Sequence, residues 1–329
     1  MTTDKKPVYL FYGEDRYSLN QKLKFWQEEF TKKYGENAIE IIDGATLDTA
    51  EFSTNLQSLP FLSEKRFVLV KNFLDFSEKE EEEQKKIASA IEDTPDFCLL
   101  VFQENKVPKK SNPIYKKIGK IGTLQEFKAL SPNEITQWIT AKAKKENIKI
   151  SFFTANYLSQ QCGPELWSIS NELDKLALFA DSKEITKEMI DDLCIPSLTS
   201  SIFKLTDEVA QKNTKASLKT FGILKDSGEE LNGIFFMLVR HFRILTQVQE
   251  LVSKGEKTPE ITKKLKQHPF VIQKTSLQAK NFNHQKLIQI YEEMLDIDKK
   301  VKTGIIKSYK SDNREFELAI EKFIINCCK

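Results

Sequence analysis

The chain has 329 residues, 40% hydrophobic and 30% charged, the balance of a soluble globular protein with room for two or three domains. With only 11 glycines, 10 prolines and a net charge of +2, it excludes collagen-like, linker-rich and disordered classes, and a surface coated with nucleic acid. It has no apolar run long enough to cross a membrane and no signal-peptide pattern at Met1–Lys6, and its five cysteines are widely spaced without a Cys-x-x-Cys pair, so a cytoplasmic protein with reduced thiols is expected.

The first third alternates short apolar runs with helical periodicity. Strands are predicted at Val8–Tyr12, Ala38–Ile42, Phe67–Val70, Phe97–Phe102 and Gly122–Phe127. Between the first two, Leu19, Leu23, Trp26 and Phe30 recur at helical spacing. Strands that are apolar on both faces and separated by helices imply a parallel sheet covered on both sides, hence a doubly wound α/β domain. The acidic run Glu78–Glu83 reads as a solvated helix start.

Near residue 131 the pattern becomes helix after helix. Ser131-Pro132-Asn133-Glu134 has the form of a capping box with proline at the first helical position. Ser151, Thr186, Thr258 before Pro259, and Asp312 before Glu315 are further cap candidates. Trp138 and Trp167 read as core. Leu287, Ile290, Tyr291, Met294, Leu295 and Val301 form one apolar face of a long helix. A break at Ile195-Pro196-Ser197 divides the helical part. The expected organisation is a parallel-sheet domain, 1–130, then two all-α domains, 131–196 and 197–329.

The turn after the first strand, Tyr12-Gly13-Glu14-Asp15-Arg16, is where such a domain would cradle phosphate. That chemistry needs several glycines, so that backbone amides approach the anion, and a Gly-Lys-Ser/Thr ending to neutralise it. One glycine is present, Glu14 and Asp15 bring negative charge, and Gly-Lys-Ser/Thr occurs nowhere in the chain. The run Leu99–Phe102 continues as Gln103-Glu104-Asn105, without the acidic pair a magnesium site would use; Glu104 reads as a surface acid. His241, His268 and His284 lack metal-ligand spacing, and His241 reads as a packed or solvated side chain. No catalytic residue, cofactor site or metal site is expected.

Six segments, in order and spanning nearly the whole chain, resemble the delta-subunit family of the bacterial DNA polymerase III clamp loader. They are Val8–Asp15, Ser58–Val70, Asn171–Phe179 with Glu184-Ile185-Thr186, Ile202–Asp207, Arg240–Leu245 and Asp298–Gly304. The most specific are Asn171-Glu172-Leu173-Asp174-Lys175-Leu176 and Lys302-Thr303-Gly304. The resemblance implies a P-loop NTPase-like (AAA+-like) module without a working phosphate loop, a helical lid and a helical collar. It also implies a subunit of the DNA polymerase III holoenzyme that opens the sliding clamp. Its partners would be the clamp (beta subunit), the ATPase subunits (gamma/tau), delta-prime and primer–template DNA. ATP and magnesium would be held by those partner subunits, and no membrane is involved.

The resemblance places the clamp grip at Leu59-Pro60-Phe61-Leu62. Proline stiffens the loop and so lowers the entropy cost of binding. Phe61 is the natural anchor, of the kind worth about 2–4 kcal/mol at an interface; Leu59 and Leu62 divide between anchor and core. Lys106, Lys109, Lys110, Lys116, Lys117 and Lys120 fall in an acid-free stretch after a strand end, where open α/β sheets place ligands, and are candidates for DNA phosphates. The alternative is an ordinary solvated face. A second cluster, Lys299, Lys300, Lys302, Lys307 and Lys310, has Tyr309 beside it as a candidate for stacking on a base. Arg240 and Arg243 are expected to pack between collar helices of neighbouring subunits. Two rival readings are an active ATPase with an atypical phosphate loop and a helical nucleic-acid-binding adaptor.

Overall fold

Each predicted strand is present, and all five join one parallel sheet in the order β2-β3-β4-β1-β5. The structure, a computed structural model, describes all residues except 1–5, 45, 48, 61–62, 75–80 and 310–311, and the side chains of 49–51, 81 and 83. In chain order the first part runs β1 (Val8–Gly13), α1 (Arg16–Tyr34), β2 (Ile39–Asp43), α2 (Thr49–Gln57), β3 (Arg66–Lys71), α3 (Glu81–Glu92), β4 (Cys98–Glu104), α4 (Pro113–Ile121) and β5 (Thr123–Phe127). The beginning of the acidic run, Glu78 to Glu80, lies outside the described residues.

The strand order sorts the helices between faces. From β1 the chain crosses the sheet in one direction to reach β2, and every later crossover runs in the other. Right-handed crossovers therefore put α1 on one face and α2, α3 and α4 on the opposite one. The cores follow the two-residue period of the strands. Phe11, Phe67, Leu69 and Val101 pack with Leu19, Leu23 and Phe30 of α1. Their alternates Leu10, Val68, Val70 and Leu100 pack with Phe52, Ile87 and Ile118 of the other helices. Burial on both faces is the reason these strands are continuous apolar runs.

This α/β unit extends to Ala129, and Leu130–Lys329 forms a second compact unit. The second unit comprises α5 (Pro132–Lys145), β6 (Lys149–Ile150), α6 (Phe152–Cys162), α7 (Leu166–Ala180), β7 (Glu184–Ile185), α8 (Lys187–Leu193), α9 (Leu198–Ala210), α10 (Thr214–Asp226), α11 (Leu231–Ser253), α12 (Thr258–Leu265), α13 (Pro269–Gln278), α14 (His284–Lys302) and α15 (Arg314–Cys327). A parallel sheet followed by an almost wholly helical remainder is the fold class expected. Among the described residues no helix is long and apolar enough to cross a membrane.

The caps of α5, α6 and α8 fall on Ser131, Ser151 and Thr186 as expected, with a full capping box between Ser131 and Glu134. The cap of α12 falls on Lys257, one residue before Thr258, and that of α15 on Asn313, one residue after Asp312. Two further expectations need correcting. Trp167 is not core: it is 47% exposed, because the buried stripe of α7 runs through Leu166, Ile169, Leu173 and Leu176 and leaves Trp167 on the flank. On α14, Leu287, Ile290 and Met294 are buried with Ile297, but Tyr291 and Leu295 are exposed beside that stripe.

The phrases that carried the resemblance have structural work in this unit. Leu173 and Leu176 are buried, Asp174 pairs with Lys142 of α5 at 2.7 Å, and Lys175 Nζ donates to the Leu193 carbonyl at 2.9 Å. Lys302-Thr303-Gly304 closes α14: the Thr303 hydroxyl donates to the Lys299 carbonyl at 2.8 Å, and Gly304 takes the left-handed conformation, φ 75°, common just past a helix end. His241 is packed. Gln278 Nε2 donates to the Phe203 carbonyl at 2.9 Å and to Asp207 Oδ1 at 2.8 Å. Its Oε1 is therefore the acceptor at 2.8 Å from His241 Nε2, so that nitrogen carries the proton. Burial, followed by the nearby Arg240 charge, outweighs this hydrogen bond and lowers the His241 pKa to about 4.

Candidate functional site

Open α/β sheets bind ligands where adjacent strands send their connections to opposite faces, and here that crevice lies at the carboxyl ends of β1 and β4. It is occupied by the protein's own side chains. Asp15 caps α1, accepting from the Ser18 N–H at 2.9 Å, so a carboxylate already satisfies the helix terminus that would meet a phosphate. Gln103 Nε2 donates to Asn20 Oδ1 at 3.1 Å, Asn105 Nδ2 to Asn72 Oδ1 at 2.5 Å, and the Tyr12 and Tyr115 hydroxyls lie 3.2 Å apart. Burial and the Tyr115 hydroxyl push the Tyr12 phenol pKa upward, so it stays neutral.

Glu104 is not a surface acid. It is 1% exposed and accepts from the Leu74 N–H at 2.8 Å, which ties the chain after β3 to the end of β4. Nothing in its neighbours along the sequence signals this; only the pairing of the two strands brings Leu74 within reach. Gly13 likewise serves the sheet. Its φ is 143°, and a Cβ there would lie 2.0 Å from the Phe127 carbonyl oxygen on β5. The single glycine of the turn is thus required by close packing of two strands.

The α2–β3 loop has a different character. Phe52 and Leu56 bury the inner face of α2, and the chain then leaves the helix through Ser58. Leu59 is 79% exposed, which removes it from the core role, while Pro60 is half-buried. Phe61 and Leu62 lie outside the described residues. Below Leu59 the loop base is held by Arg66, the first residue of β3. Its Nη1 donates to the carbonyls of Asn55 at 2.5 Å and Ser58 at 2.9 Å, and its Nη2 pairs with Glu40 of β2.

The candidate lysines differ in exposure. Lys106, Lys109, Lys110, Lys116 and Lys120 are exposed around the start and outer face of α4, whose Ile114 and Ile118 point into the core. Lys117 is half-buried and pairs with Glu92. In the helical unit Lys300 pairs with Asp296 at 2.5 Å and Lys302 with Asp298 at 2.7 Å, and Lys310 lies outside the described residues. Tyr309 is 59% exposed at a short antiparallel bridge to Asp312. The structure thus keeps the β4–α4 group together and places the Lys302–Tyr309 group in the other unit. Arg240 bonds within its own unit, to Gln267 Oε1 at 2.7 Å. Among the described residues no group of three or more His, Cys, Asp or Glu side chains is arranged to hold a metal ion.

Sheet and crevice together define a doubly wound parallel α/β protein whose ligand crevice is occupied by its own polar side chains and whose remaining mass is almost wholly helical. Comparison with known proteins makes this specific. Residues 9–128 match the family model "DNA polymerase III, delta subunit", residues 199–327 match "DNA polymerase III delta subunit, C-terminal domain", and residues 131–192 match a "middle domain" model. The chain is 28% identical over 336 residues to DNA polymerase III subunit delta of Bacillus subtilis, covering 98% of this chain and 93% of the relative. It is 25% identical over 262 residues to the probable DNA polymerase III subunit delta of Aquifex aeolicus, covering 77% and 73%. The solved structure of the Bacillus subtilis DNA clamp loader delta protein has the same fold, with a TM-score of 0.74 at 24% identity over 98% of this chain and 96% of that one. The chain belongs to the DNA polymerase III delta-subunit family.

Proposed function

We propose that this chain works by binding: it grips the ring-shaped sliding clamp through the α2–β3 loop and holds one interface of the ring open. Leu59, Pro60, Phe61 and Leu62 form the grip, with Phe61 as the anchor. The observation that carries this reading is Leu59, a large apolar side chain left in solvent on a loop whose base is hydrogen-bonded to the sheet. An apolar tip on a fixed base gains from burial against a partner and loses little conformational entropy on binding.

ATP and magnesium are bound by the partner ATPase subunits, since the first helix of this chain already gives its Ser18 amide to Asp15, whose carboxylate is an adverse charge for a phosphate. Binding favours the open form of the clamp because the subunit fits that form better than the closed one. Primer–template DNA then enters, with Lys106, Lys109, Lys110 and Lys116 meeting its phosphates. Residues 1–130 act as the clamp-binding module, 131–196 as the lid, and 197–329 as the collar that joins the ATPase subunits and delta-prime.

The deciding measurement is the affinity of the purified sliding clamp for this chain and for Phe61→Ala and Leu59→Ala. Loss of binding by at least about tenfold with Phe61→Ala supports the grip, since removal of an interface anchor costs about 2 kcal/mol or more. Unchanged affinity in both variants refutes it. The adaptor reading draws on the exposed lysines of the β4–α4 segment, and it predicts salt-dependent DNA binding by a chain that makes no clamp complex.

A further inference from the structure

We infer that Arg66, held by Glu40, is a positioning residue that sets the direction in which the α2–β3 loop leaves the sheet and so controls partner affinity without itself touching the partner. This rests on the clamp-grip reading of that loop.

A helix ends with carbonyl groups that have no partner inside the helix. At the end of α2 two of the carbonyls facing the loop, those of Asn55 and Ser58, converge on one nitrogen of Arg66, at 2.5 and 2.9 Å. The other terminal nitrogen pairs with Glu40 on the adjacent strand, β2. Only 12% of the Arg66 side chain is exposed, and its own N–H donates to the Phe97 carbonyl at 2.8 Å, so the guanidinium stands on a rigid strand. A planar guanidinium holds two groups of acceptors in fixed directions, which a lysine ammonium does not. The last turn of α2 is also tightened by Ser58, whose N–H and hydroxyl both reach the Thr54 carbonyl, at 3.1 and 2.9 Å. One residue later the chain presents Leu59 to solvent, followed by Pro60, which restricts the backbone before it. The geometry is a clasp with three attachment points, one in the last turn of α2, one at the residue just after it and one on the sheet.

When a binding-competent arrangement is only fractionally populated, apparent affinity falls by that fraction. Releasing the clasp therefore weakens clamp binding although the contact side chains are intact. The test uses the full chain with purified sliding clamp and compares the unsubstituted protein, Arg66→Met, Arg66→Lys and Glu40→Gln. Thermal unfolding and amide hydrogen exchange are measured on each.

Expected results are a clamp affinity about tenfold lower for Arg66→Met, incomplete rescue by Arg66→Lys, and a smaller loss for Glu40→Gln, whose substituted side chain is partly exposed. Amides of Asn55–Leu59 should exchange faster while those of β1 and β4 keep their protection; a residue important only for overall stability would move both. A folded Arg66→Met protein with unchanged affinity and unchanged exchange at Asn55–Leu59 overturns the inference. Should Arg66→Met fail to fold, the same pair of null results in Glu40→Gln overturns it. If the unsubstituted chain binds no clamp, the grip reading is what fails, and the exchange rates alone then decide whether the clasp orders the loop base.

Discussion

Asp15 and Ser18 close the first helix of the sheet domain: the Asp15 carboxylate accepts from the Ser18 backbone N–H at 2.9 Å, at the position where a nucleotide-binding relative would present free amides to phosphate. Asp15 also anchors the turn to the neighbouring strand β5 through its own N–H, which donates to the Phe127 carbonyl at 3.1 Å. The carboxylate thus belongs to the fold.

Asp15→Ala should lower stability by about 1 kcal/mol, the usual cost of losing an N-cap. It should not create ATP affinity, because Gly-Lys-Ser/Thr is absent and the Gln103–Asn20 and Asn105–Asn72 hydrogen bonds remain. Denaturant unfolding and ATP–magnesium titration check the two halves separately. ATP binding at micromolar levels by either protein would revive the reading as an active ATPase.

Gly13→Ala should be far more damaging, with a loss of more than about 2 kcal/mol. The added methyl group would sit 2.0 Å from the Phe127 carbonyl oxygen, and that oxygen belongs to a strand that cannot move without breaking its pairing with β1. Equilibrium unfolding measures the loss. A change below about 0.5 kcal/mol, typical of a surface site, would contradict the packing role assigned to this glycine.

Lysines with different partners should differ in DNA binding. Each phosphate neutralised steepens the dependence of log affinity on log salt by about 0.7–0.9. Lys109→Ala combined with Lys110→Ala should therefore reduce that slope by about 1.4–1.8 for primer–template DNA, in titrations over a range of salt concentrations. Lys117→Ala should leave it nearly unchanged, since Glu92 already holds Lys117. Equal effects from the two variants would show that the ion pair does not survive in the complex.

His241 makes stability depend on pH. Burial lowers its pKa in the folded chain to about 4, against about 6.5 in the unfolded chain. The neutral form is favoured on folding, so its contribution is complete above about pH 6.5 and is lost as pH falls toward 4, where only the unfolded chain takes up the proton. The loss amounts to about 3 kcal/mol over that window. His241→Gln, which retains a donor toward Gln278 Oε1, should flatten the decline in thermal stability between pH 6.5 and 4. An unaltered pH profile would exclude His241 as its source.

Much of the architecture was legible in order along the chain because it rests on local repetition. The unbroken apolar runs of Val8–Tyr12 and Phe67–Val70 marked strands covered on both faces, and Ser131-Pro132-Asn133-Glu134 named its own helix start, since a cap needs only residues three apart. The missing phosphate chemistry was also legible, because Gly-Lys-Ser/Thr is a contiguous requirement. Burial, by contrast, depends on what the fold brings from elsewhere. Trp167 and Leu173 are both apolar residues of α7, and only packing against α5 and α6 decides that one faces solvent and the other core. Glu104 looked like a surface acid until pairing of β3 with β4 placed the Leu74 N–H beside it. Arg66 gave no signal at all, for its partners Asn55, Ser58 and Glu40 are 8 to 26 residues away and meet it only where the end of α2 passes over two neighbouring strands. Periodicity is a property of consecutive residues and survives in a sequence; convergence of distant polar groups exists only after the chain has closed on itself.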